Sequence, residues 1–337
     1  MNTSAINNKK QQQINIKCPV CENTSFEEPI YKYSALEAAA HFCPPNRNST
    51  RNQRLVKSIR KLWQGDECSI IRCPECGFAF GQPFIGGDEE FYSILHEQHG
   101  YPSWRWDYDV AVQNVISLLD KGKILDIGAG TGNFLKSLGN QWEKYAVEGS
   151  DTTRLELEKV GINVFPDLPT LVEAESGEFS VVTMFQVLEH ISNFQEVLSQ
   201  CRQLLTPGGL LLVTVPDGDA MILQEQLTGC PDMPPNHINK WTPKSLKIAL
   251  EDVGFQTQAA IIEPPSWKNL AYSLQLKVIH DAAINPNSLA AKCYQVSNKR
   301  IRISLLSSLA LSGFLQLFPH TNKLLQGESF AMISIAN

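Results

Sequence analysis

A glycine-rich turn constrains the fold of this chain more than any other feature of the sequence. The stretch ILDIGAGTGNF occupies residues 124–134, with glycines at positions 128, 130 and 132. It lies at the end of a predicted buried strand and before a predicted helix. Glycine lets the backbone turn sharply and approach a ligand, and the start of a helix offers unpaired N–H groups to an anion. The stretch therefore predicts a ligand-binding junction between a strand and a helix.

The chain from residue 107 onward alternates short apolar runs with helical patterns. Helices of this length between strands predict a mostly parallel sheet that is covered on both faces, which is an α/β fold. The apolar runs that we interpret as strands lie at residues 123–127, 145–148, 163–165, 180–185 and 210–215.

An acidic residue closes the next predicted strand, because Glu148 follows Asp126 by 22 positions. A carboxylate at this place can accept hydrogen bonds from both hydroxyls of a ribose. The glycines are spaced G-x-G-x-G and not G-x-G-x-x-G, the spacing in dinucleotide-binding proteins. Asp126 would also repel a pyrophosphate, whereas it suits a cationic amino group. A ligand with an ammonium group, a carboxylate and an adenosine fits both acids, which indicates S-adenosylmethionine.

Five motifs in sequence order make residues 107–263 similar to the class I S-adenosylmethionine-dependent methyltransferases. The resemblance implies a Rossmann-like seven-stranded sheet whose last strand, at about 328–336, runs antiparallel beside 256–263. The methyltransferase domain would then span residues 107–337, with an insertion at about 265–326. The motifs are the loop at 126–132, YAVEGS at 145–150, FSVVTMFQVLEH at 179–190, LLTPGG at 204–209 and HINKWTPKSL at 237–246.

The same resemblance implies which residues contact the cofactor. Asp126 and the loop backbone would bind the methionyl part, and Glu148 the ribose. Asp167 would face the adenine amino group, with Gly149 and Leu168 beside the ring. The alternative for Asp167 is an ordinary turn aspartate. The expected cofactor-binding set is Asp126, Gly128, Ala129, Gly130, Thr131, Gly132, Glu148, Gly149, Asp167, Leu168, Phe185 and Gln186.

Two histidines are candidates for the base that a hydroxyl acceptor needs in methyl transfer. His190 follows Glu189 at the end of the fourth predicted strand, and His237 lies in a proline-rich loop near the same sheet edge. Ligands bind at the carboxyl edge of such a sheet. We therefore expect a catalytic set of His190, His237 and Glu189. The alternative is that each histidine only fixes a loop by hydrogen bonds.

The QVLEH stretch at 186–190 is similar to that of ubiquinone-type O-methyltransferases. In those enzymes the first position is a glutamate, and two glutamates and the histidine hold a divalent metal. Here Gln186 occupies that position, and a neutral amide weakens a site for a hard cation. The sequence therefore argues against magnesium dependence.

Nearer the amino terminus, four cysteines form two C-x2-C pairs, which suit tetrahedral zinc. Four protein ligands leave no open position, so this zinc would be structural and not catalytic. The 51 residues between the pairs exceed the usual gap and must fold as an insert. The pattern predicts a zinc-ribbon-like domain at 17–90 after a flexible tail at 1–16. The expected metal ligands are Cys18, Cys21, Cys73 and Cys76, and the alternatives are Cys43, Cys68 or His41 as ligands, or no metal.

Composition limits the partners and the location of the chain. Its net charge of −6 argues against a nucleic-acid partner. Nine cysteines, with no export signal visible in the sequence, suit the reducing cytoplasm. No apolar run is long enough for a membrane-spanning helix. The oligomeric state is not predicted.

The predicted function is methylation, at oxygen or carbon, of a small hydroxylated acceptor such as a sugar or a polysaccharide precursor. Similar methyltransferases with an amino-terminal zinc ribbon include sugar C-methyltransferases. One alternative is a lipid-linked acceptor at the membrane surface, suggested by the mostly apolar stretch 303–318 and the basic residues Lys299, Arg300 and Arg302. A second alternative is a non-catalytic S-adenosylmethionine-binding protein. The aromatic segment 101–108 would line a substrate mouth or act as a packed linker.

Overall fold

A computed structural model describes residues 16–45, 47–95, 104–230, 232–285, 287–317 and 325–337, with side chains from 313 to 317 left out. Except for Ile16, the tail expected at 1–16 lies outside the described residues. The same holds for residues 101–103 of the aromatic segment.

Two sheets organise the described residues, and helices surround them. The strands are β1 Tyr31–Ser34, β2 Glu67–Arg72, β3 Ala79–Gln82, β4 Gly122–Ile127, β5 Trp142–Val147, β6 Asn163–Phe165, β7 Phe179–Phe185, β8 Leu205–Pro216, β9 Asn239–Lys240, β10 Phe255–Ile262 and β11 Ser329–Ala336. The α-helices are α1 Ala35–Phe42, α2 Ser49–Trp63, α3 Glu89–Leu95, α4 Trp106–Asn114, α5 Asn133–Ser137, α6 Asp151–Glu158, α7 Leu168–Glu175, α8 Phe194–Leu204, α9 Gly218–Thr228, α10 Pro243–Asp252, α11 Trp267–Ile284, α12 Leu289–Tyr294 and α13 Lys299–Leu317. Short 3-10 helices span Ile116–Leu118 and Leu188–His190.

The larger sheet has seven strands in the order β10-β11-β8-β7-β4-β5-β6. Strands β4 to β8 pair in parallel, whereas β11 lies antiparallel between β8 and β10. This confirms the predicted fold class: a Rossmann-like seven-stranded sheet with an antiparallel last strand. The topology brings the carboxyl ends of β4, β5 and β7 to one edge.

The burial pattern of each strand agrees with its position in the larger sheet. All but one residue of the central strand β7 are buried, because helices cover both of its faces. The edge strand β10 instead alternates between more and less exposed positions, as expected for a strand with one covered face. Continuous apolar runs thus mark the centre of the sheet, and alternation marks its edge.

The smaller sheet joins the amino-terminal region to the methyltransferase-like region. Its order is β1-β2-β3-β9, and β9 comes from the chain between β8 and α10. In the antiparallel β3–β9 pair, Phe80 lies opposite Asn239. Phe78, just before β3, packs against the fully buried Trp241 at a ring distance of 4.5 Å. The two regions therefore share a sheet and a hydrophobic core.

Helices α11, α12 and α13 lie between β10 and β11, within the insertion expected at 265–326. They pack on one another, and α11 also contacts α1 and α9. Of the helices in the described part of the chain, none has the combination of length and hydropathy that a membrane span requires.

Candidate active site

The glycine loop after β4 needs glycine for two physical reasons. Gly128, Gly130 and Gly132 have φ values of 71°, 53° and 70°, in the left-handed region that side chains disfavour. A Cβ at Gly128 would lie 2.6 Å from Val187 Cγ2, and one at Gly132 would lie 2.4 Å from Leu157 Cδ2. The backbone therefore turns tightly against its neighbours and leaves no room for larger residues at these two positions.

Glu148 is fixed against this loop by its carboxylate. Its Oε2 accepts a hydrogen bond from the Gly130 N–H at 2.9 Å, and its Oε1 accepts one from the Ser150 N–H at 3.0 Å. The backbone N–H of Glu148 donates to the Phe165 carbonyl at the end of the neighbouring strand β6. A Cβ on the adjacent Gly149 would meet nothing within 4 Å. The backbone next to this acid therefore has open space beside it.

Asp126 lies at the end of β4 and is almost fully buried. Burial raises the pKa of its carboxyl to about 7, and the nearby Asp107 contributes in the same direction. The Thr183 hydroxyl donates to its Oδ1 at 2.9 Å and partly offsets this rise. Asp126 is therefore poised between its neutral and charged forms near neutral pH.

Sequence reasoning missed two charged residues next to Asp126. Asp107 is fully buried, and it accepts hydrogen bonds from the Arg105 guanidinium and the Thr214 hydroxyl. Arg105 and Asp107 both belong to the aromatic segment 101–108. Their R-x-D pattern is the sequence signal that could have identified them. Within the described part of this segment, Asp107 lies near Asp126 and Tyr108 packs against Phe185.

The end of β7 contributes Phe185 and Gln186. The Phe185 ring packs edge-on against Tyr108 and Phe134, each at a centroid distance of 4.9 Å. Gln186 has a φ of 56°, which is uncommon for a residue with a side chain. Its N–H donates to the Thr214 carbonyl at 2.9 Å. This turn directs the chain into the 3-10 helix that carries Glu189 and His190.

The remaining predicted cofactor residues lie around the loop. Asp167 is exposed and caps α7, because its Oδ1 accepts from the Thr170 N–H at 2.9 Å. That backbone hydrogen bond lowers the pKa of its carboxyl. Leu168 and Ala129 are buried, whereas Thr131 is exposed. A capping role is thus established for Asp167, and its contact with adenine stays a prediction.

The three predicted catalytic residues come together although His237 is far from the other two in sequence. The rings of His190 and His237 are 4.8 Å apart between centroids. The Nε2 atom of His190 lies 3.8 Å from Oε1 of the buried Glu189. The Ile238 N–H donates to the Glu189 carbonyl, and the Asn239 amide donates to the Leu188 and Ile191 carbonyls. Strand β9, held by β3, therefore positions the 3-10 helix Leu188–His190.

The Nδ1 atom of each histidine lies close to an oxygen atom of a neighbouring residue. His190 Nδ1 lies 2.8 Å from the Asn236 carbonyl oxygen and 3.2 Å from the Tyr92 hydroxyl. Because a carbonyl only accepts, this Nδ1 carries a proton, and Nε2 keeps a lone pair in the neutral ring. His237 Nδ1 lies 2.5 Å from Asp232 Oδ1. Asp232 precedes His237 by five residues, and sequence reasoning missed it.

The electrostatics of this group follow from burial and pairing. Burial raises the pKa of Glu189 to about 7, although His237 opposes the rise. Burial by itself lowers the pKa of His237, but the ion pair with Asp232 outweighs it and the net pKa is raised. In turn, burial would raise the pKa of Asp232, but His237 and Lys240 outweigh it and the net pKa is lowered.

A cavity of about 470 Å³ lies beside the two histidines. Its wall combines α1 and α3 of the amino-terminal region, the loop before β9, and α11 of the insertion. It is therefore built from three parts of the chain that are remote in sequence. Its lining residues are His41, Phe42, Leu95, His190, Gln224, Cys230, Asp232, Asn236, His237, Tyr272 and Leu276.

The four expected cysteine ligands also come together. Their sulfur atoms all lie within 4.8 Å of one another, with Cys18 Sγ at 3.6 Å from Cys76 Sγ and Cys21 Sγ at 3.5 Å from Cys73 Sγ. The residue after each pair, Glu22 or Gly77, has a positive φ, so the two turns have similar backbones. Zinc–sulfur bonds of about 2.3 Å place tetrahedral sulfurs about 3.8 Å apart, which fits this spacing. Cys43, Cys68 and His41 are not members of the cluster.

A comparison with protein families identifies the larger region. Residues 104–260 match the family model described as a methyltransferase domain. The chain contains a class I methyltransferase domain. This confirms the family and fold recognised from the five motifs, and the site residues stay predictions.

Curated proteins named ubiquinone biosynthesis O-methyltransferase are similar to part of this methyltransferase domain. The one from Dechloromonas aromatica is 27% identical over 118 residues, which are 31% of this chain and 47% of that protein. The one from Escherichia coli O139:H28 is 33% identical over 97 residues, which are 26% of this chain and 40% of that protein. This chain thus spans about half of the length of the curated relatives it matches.

Solved methyltransferase structures are also similar to this chain. A SAM-dependent methyltransferase from Archaeoglobus fulgidus aligns with a TM-score of 0.46 and 18% identity, and the alignment covers 73% of this chain and 99% of that one.

Proposed function

We propose that this protein transfers the methyl group of S-adenosylmethionine to a small hydroxylated acceptor. The observation that carries the proposal is the loop after β4. Its glycines adopt left-handed backbone conformations, it follows a buried carboxyl, and it donates a backbone hydrogen bond to Glu148. This arrangement offers acids to an ammonium group and a ribose, and the same acids would repel a pyrophosphate.

In this proposal the cofactor lies over the carboxyl ends of β4 and β5. Asp126 and the loop at 128–132 bind the methionyl part, and Glu148 binds the ribose hydroxyls. Asp167, Gly149 and Leu168 border the adenine. Phe185 and Gln186 lie at the end of β7, between the cofactor and the 3-10 helix. This order directs the sulfonium methyl group toward Glu189 and His190.

The acceptor would occupy the cavity beside His190 and His237. Methyl transfer forms a bond from the acceptor to the methyl carbon while the carbon–sulfur bond breaks and its electron pair stays on sulfur. A hydroxyl acceptor must also lose its proton, and Glu189, His190 and His237 are the groups placed to assist. The polar wall with apolar Phe42, Leu95 and Leu276 suits a compact hydroxylated ring, such as a sugar or a polysaccharide precursor. The curated relatives are named as O-methyltransferases, which favours oxygen as the methylated atom.

We further propose that Cys18, Cys21, Cys73 and Cys76 hold one structural zinc ion. Their sulfur spacing and soft thiolate donors support zinc, and four protein ligands leave no position for substrate. The cluster packs on the methyltransferase domain, since Lys244 donates to the Glu75 carbonyl. All nine cysteines are unpaired, which supports a cytoplasmic location.

Calorimetry and product analysis test the proposal. Purified protein should bind S-adenosylmethionine and S-adenosylhomocysteine but not NAD, and Asp126→Asn should weaken that binding. Incubation with a panel of sugars and sugar nucleotides should then release S-adenosylhomocysteine with one member. Binding of NAD in place of the sulfonium ligand would contradict the proposal. Cofactor binding without turnover on any acceptor would favour a non-catalytic binding protein.

One observation favours a second candidate, a lipid-linked acceptor at a membrane surface. Ten of the sixteen exposed large hydrophobic side chains in the described part of the chain lie between Trp267 and Leu311. The segment from 266 to 317 carries six lysine or arginine residues against one aspartate, although the whole chain has a net charge of −6. Such a surface suits anionic lipid. Co-sedimentation with phosphatidylglycerol vesicles tests this candidate, and absence from the pellet would remove it.

A further inference from the structure

We infer that Asp232 is the positioning residue that makes His237 the base for the acceptor hydroxyl, an assignment that rests on the proposed methyl transfer. Of the three residues placed to assist, one then takes the proton. The other two, Glu189 and His190, border the reaction.

Asp232 and His237 form an ion pair in the wall of the cavity. Asp232 Oδ1 lies 2.5 Å from His237 Nδ1, and both residues line the cavity. A carboxylate beside Nδ1 keeps the proton on that nitrogen, so that Nε2 is the ring atom that accepts another. The same carboxylate stabilises the imidazolium that forms when the base takes a proton.

His237 is a stronger base than His41, which lines the same cavity. Burial lowers the pKa of His41 to about 4, so its ring accepts a proton poorly near neutral pH. Burial also acts to lower the pKa of His237, but the Asp232 carboxylate outweighs it and the net pKa is raised. The acid next to the ring therefore decides which of these two histidines can act.

His190 and Glu189 are less suited to take the proton. His190 Nδ1 lies 2.8 Å from the Asn236 carbonyl oxygen, a neutral group, and Glu189 Oε1 lies 3.8 Å from His190 Nε2. Glu189 is 1% exposed and is not among the described residues that line the cavity. A negative charge on Glu189 instead favours the protonated form of His237.

The segment that carries Asp232 and His237 is folded back on itself. Lys240 is 1% exposed, and its Nζ donates to the Asp232 carbonyl. A buried ammonium group needs such a partner, because an unpaired charge in the interior costs free energy. The His237 N–H donates to the Met233 carbonyl at 3.3 Å. These two hydrogen bonds limit how far Asp232 and His237 can move apart.

The amino-terminal region holds the same segment from outside. The Gly81 N–H donates to the Ile238 carbonyl, and the Gly87 N–H donates to the Pro235 carbonyl, each at 2.9 Å. A Cβ at Gly81 would lie 2.7 Å from Pro234 Cγ, so the two parts of the chain pack as closely as glycine allows. The region with the cysteine pairs therefore places the base, although the base belongs to the methyltransferase domain.

The proton transfer balances with the methyl transfer. His237 Nε2 takes the proton of the acceptor hydroxyl while the oxygen bonds to the methyl carbon, and the carbon–sulfur electron pair stays on sulfur. The positive charge of the sulfonium is lost, and an imidazolium charge is gained next to Asp232. Release of this proton to water restores the base.

The pH dependence of this base follows from the charges around it. Asp232 and Glu189 raise the pKa of His237, whereas Lys240 lowers it. Turnover should rise with pH as His237 loses its proton and should reach a plateau above that pKa. The titratable groups around the ion pair are Glu189 and His190 of the 3-10 helix, His41 of α1, Tyr33 of β1, Glu225 of α9, Cys230, Lys240 of β9, Tyr272 of α11 and Glu328.

A titration of the histidine rings tests the ion pair without an acceptor. In nitrogen-15 NMR spectra the wild-type His237 should titrate above the ordinary value of about 6.5, and its signal is assigned by its absence in His237→Gln. Asp232→Asn should lower that pKa by about one unit or more, because the neighbouring charge is lost. Asp232→Glu keeps the charge and should retain most of the raised pKa. Asp252→Asn, an exposed aspartate at the end of α10, is the control and should change nothing.

The pH profile of turnover tests the base with a methylated acceptor. Asp232→Asn should lower the plateau about 10²-fold and move the rising limb to lower pH by about one pH unit or more. Asp232→Glu should regain part of the turnover. The dissociation constant of S-adenosylmethionine should not change, because the ion pair lies in the acceptor cavity. A role of Asp232 in folding alone would not move the rising limb.

Circular dichroism and the zinc content verify the folding of each variant. If Asp232→Asn does not fold, the titrations of wild-type protein and Asp232→Glu decide. The assignment is overturned if wild-type His237 titrates below the ordinary value, or if Asp232→Asn leaves its pKa unchanged. Methyl transfer with an unchanged rate and pH profile in Asp232→Asn would also overturn it and leave the proposed function standing. Failure of the wild-type protein to bind S-adenosylmethionine would remove both.

Discussion

The proposed cofactor side and the proposed acceptor side of this site, called below the cofactor side and the acceptor side, are assembled in different ways. The cofactor side uses the ends of the adjacent strands β4 and β5, so Asp126, Gly130 and Glu148 lie within 23 residues of chain. The acceptor side draws on His41 of α1, His190 after β7, and Tyr272 of α11. Short-range sequence can therefore specify the first side, whereas the second depends on how distant segments pack. Variants that affect one side and not the other test this difference.

The largest effect should follow from Cys73→Ser. Loss of the metal should lower the free energy of unfolding by more than about 3 kcal/mol, since structural zinc contributes directly to folding. Because β3 follows this cysteine and holds β9 against the 3-10 helix Leu188–His190, turnover should fall while cofactor binding persists. Chelator-resistant zinc, measured by mass spectrometry, should drop from one ion per chain to none. Cys293→Ser, on α12, is the control and should keep the zinc. If Cys73→Ser lowers cofactor binding as much as turnover, the cofactor side and the acceptor side do not depend on the cysteine cluster in different ways.

His190→Ala should reduce turnover by about 10²-fold or more, whether the residue acts as a base or holds the ring of His237 in place. The dissociation constant of S-adenosylmethionine should not change, because His190 lies on the acceptor side. Steady-state release of S-adenosylhomocysteine and calorimetry measure the two quantities. His280→Ala, on α11, serves as the control. If His190→Ala and His237→Ala both retain turnover, another group must accept the proton of the acceptor hydroxyl.

Glu148→Ala should affect cofactor binding, which His190→Ala should leave unchanged. It should weaken cofactor binding by about 10- to 100-fold, since hydrogen bonds to charged groups contribute about 1.5–3 kcal/mol. Glu156→Ala, an exposed glutamate on α6, is the matched control and should bind the cofactor normally. Calorimetry measures both variants. Unchanged affinity in Glu148→Ala would refute the ribose contact.

Cofactor affinity should also depend on pH through Asp126. Burial raises the pKa of its carboxyl to about 7, so the group is mostly neutral at pH 6 and mostly charged at pH 8. The charged form attracts the cationic donor, and affinity should therefore rise about tenfold from pH 6 to pH 8. Asp126→Asn should remove this rise. If the cofactor affinity of the wild-type protein does not change from pH 6 to pH 8, Asp126 does not interact with the positive charge of the cofactor.

Much of the cofactor side was predictable from the printed residues. Gly128 and Gly132 are needed because a Cβ would collide with Val187 and Leu157, and the spacing of the glycines already indicated such a turn. The antiparallel last strand followed from the family resemblance. The two cysteine pairs that cluster in the structure were visible as two short repeats. Each of these features shows in a short sequence pattern or in a known strand order.

The acceptor side could not be predicted in the same way. Two histidines were named as candidates, but nothing in their spacing placed the rings 4.8 Å apart or joined Asp232 to His237. Arg105 and Asp107 form an R-x-D pattern, but nothing in that pattern placed them beside Asp126. The wall formed by α1 and α11 requires the packing of segments more than 200 residues apart.

The glycine spacing, the acids after two strands and the cysteine pairs were enough to specify a methyltransferase domain and its expected cofactor. Backbone conformation and strand sequence carry that information locally. Folding added the acceptor cavity, the contact between β3 and β9, and the grouping of Glu189, His190 and His237. Those features arise because burial of Phe78 and Trp241 in one shared core draws distant parts of the chain together, and no local pattern encodes where such parts meet.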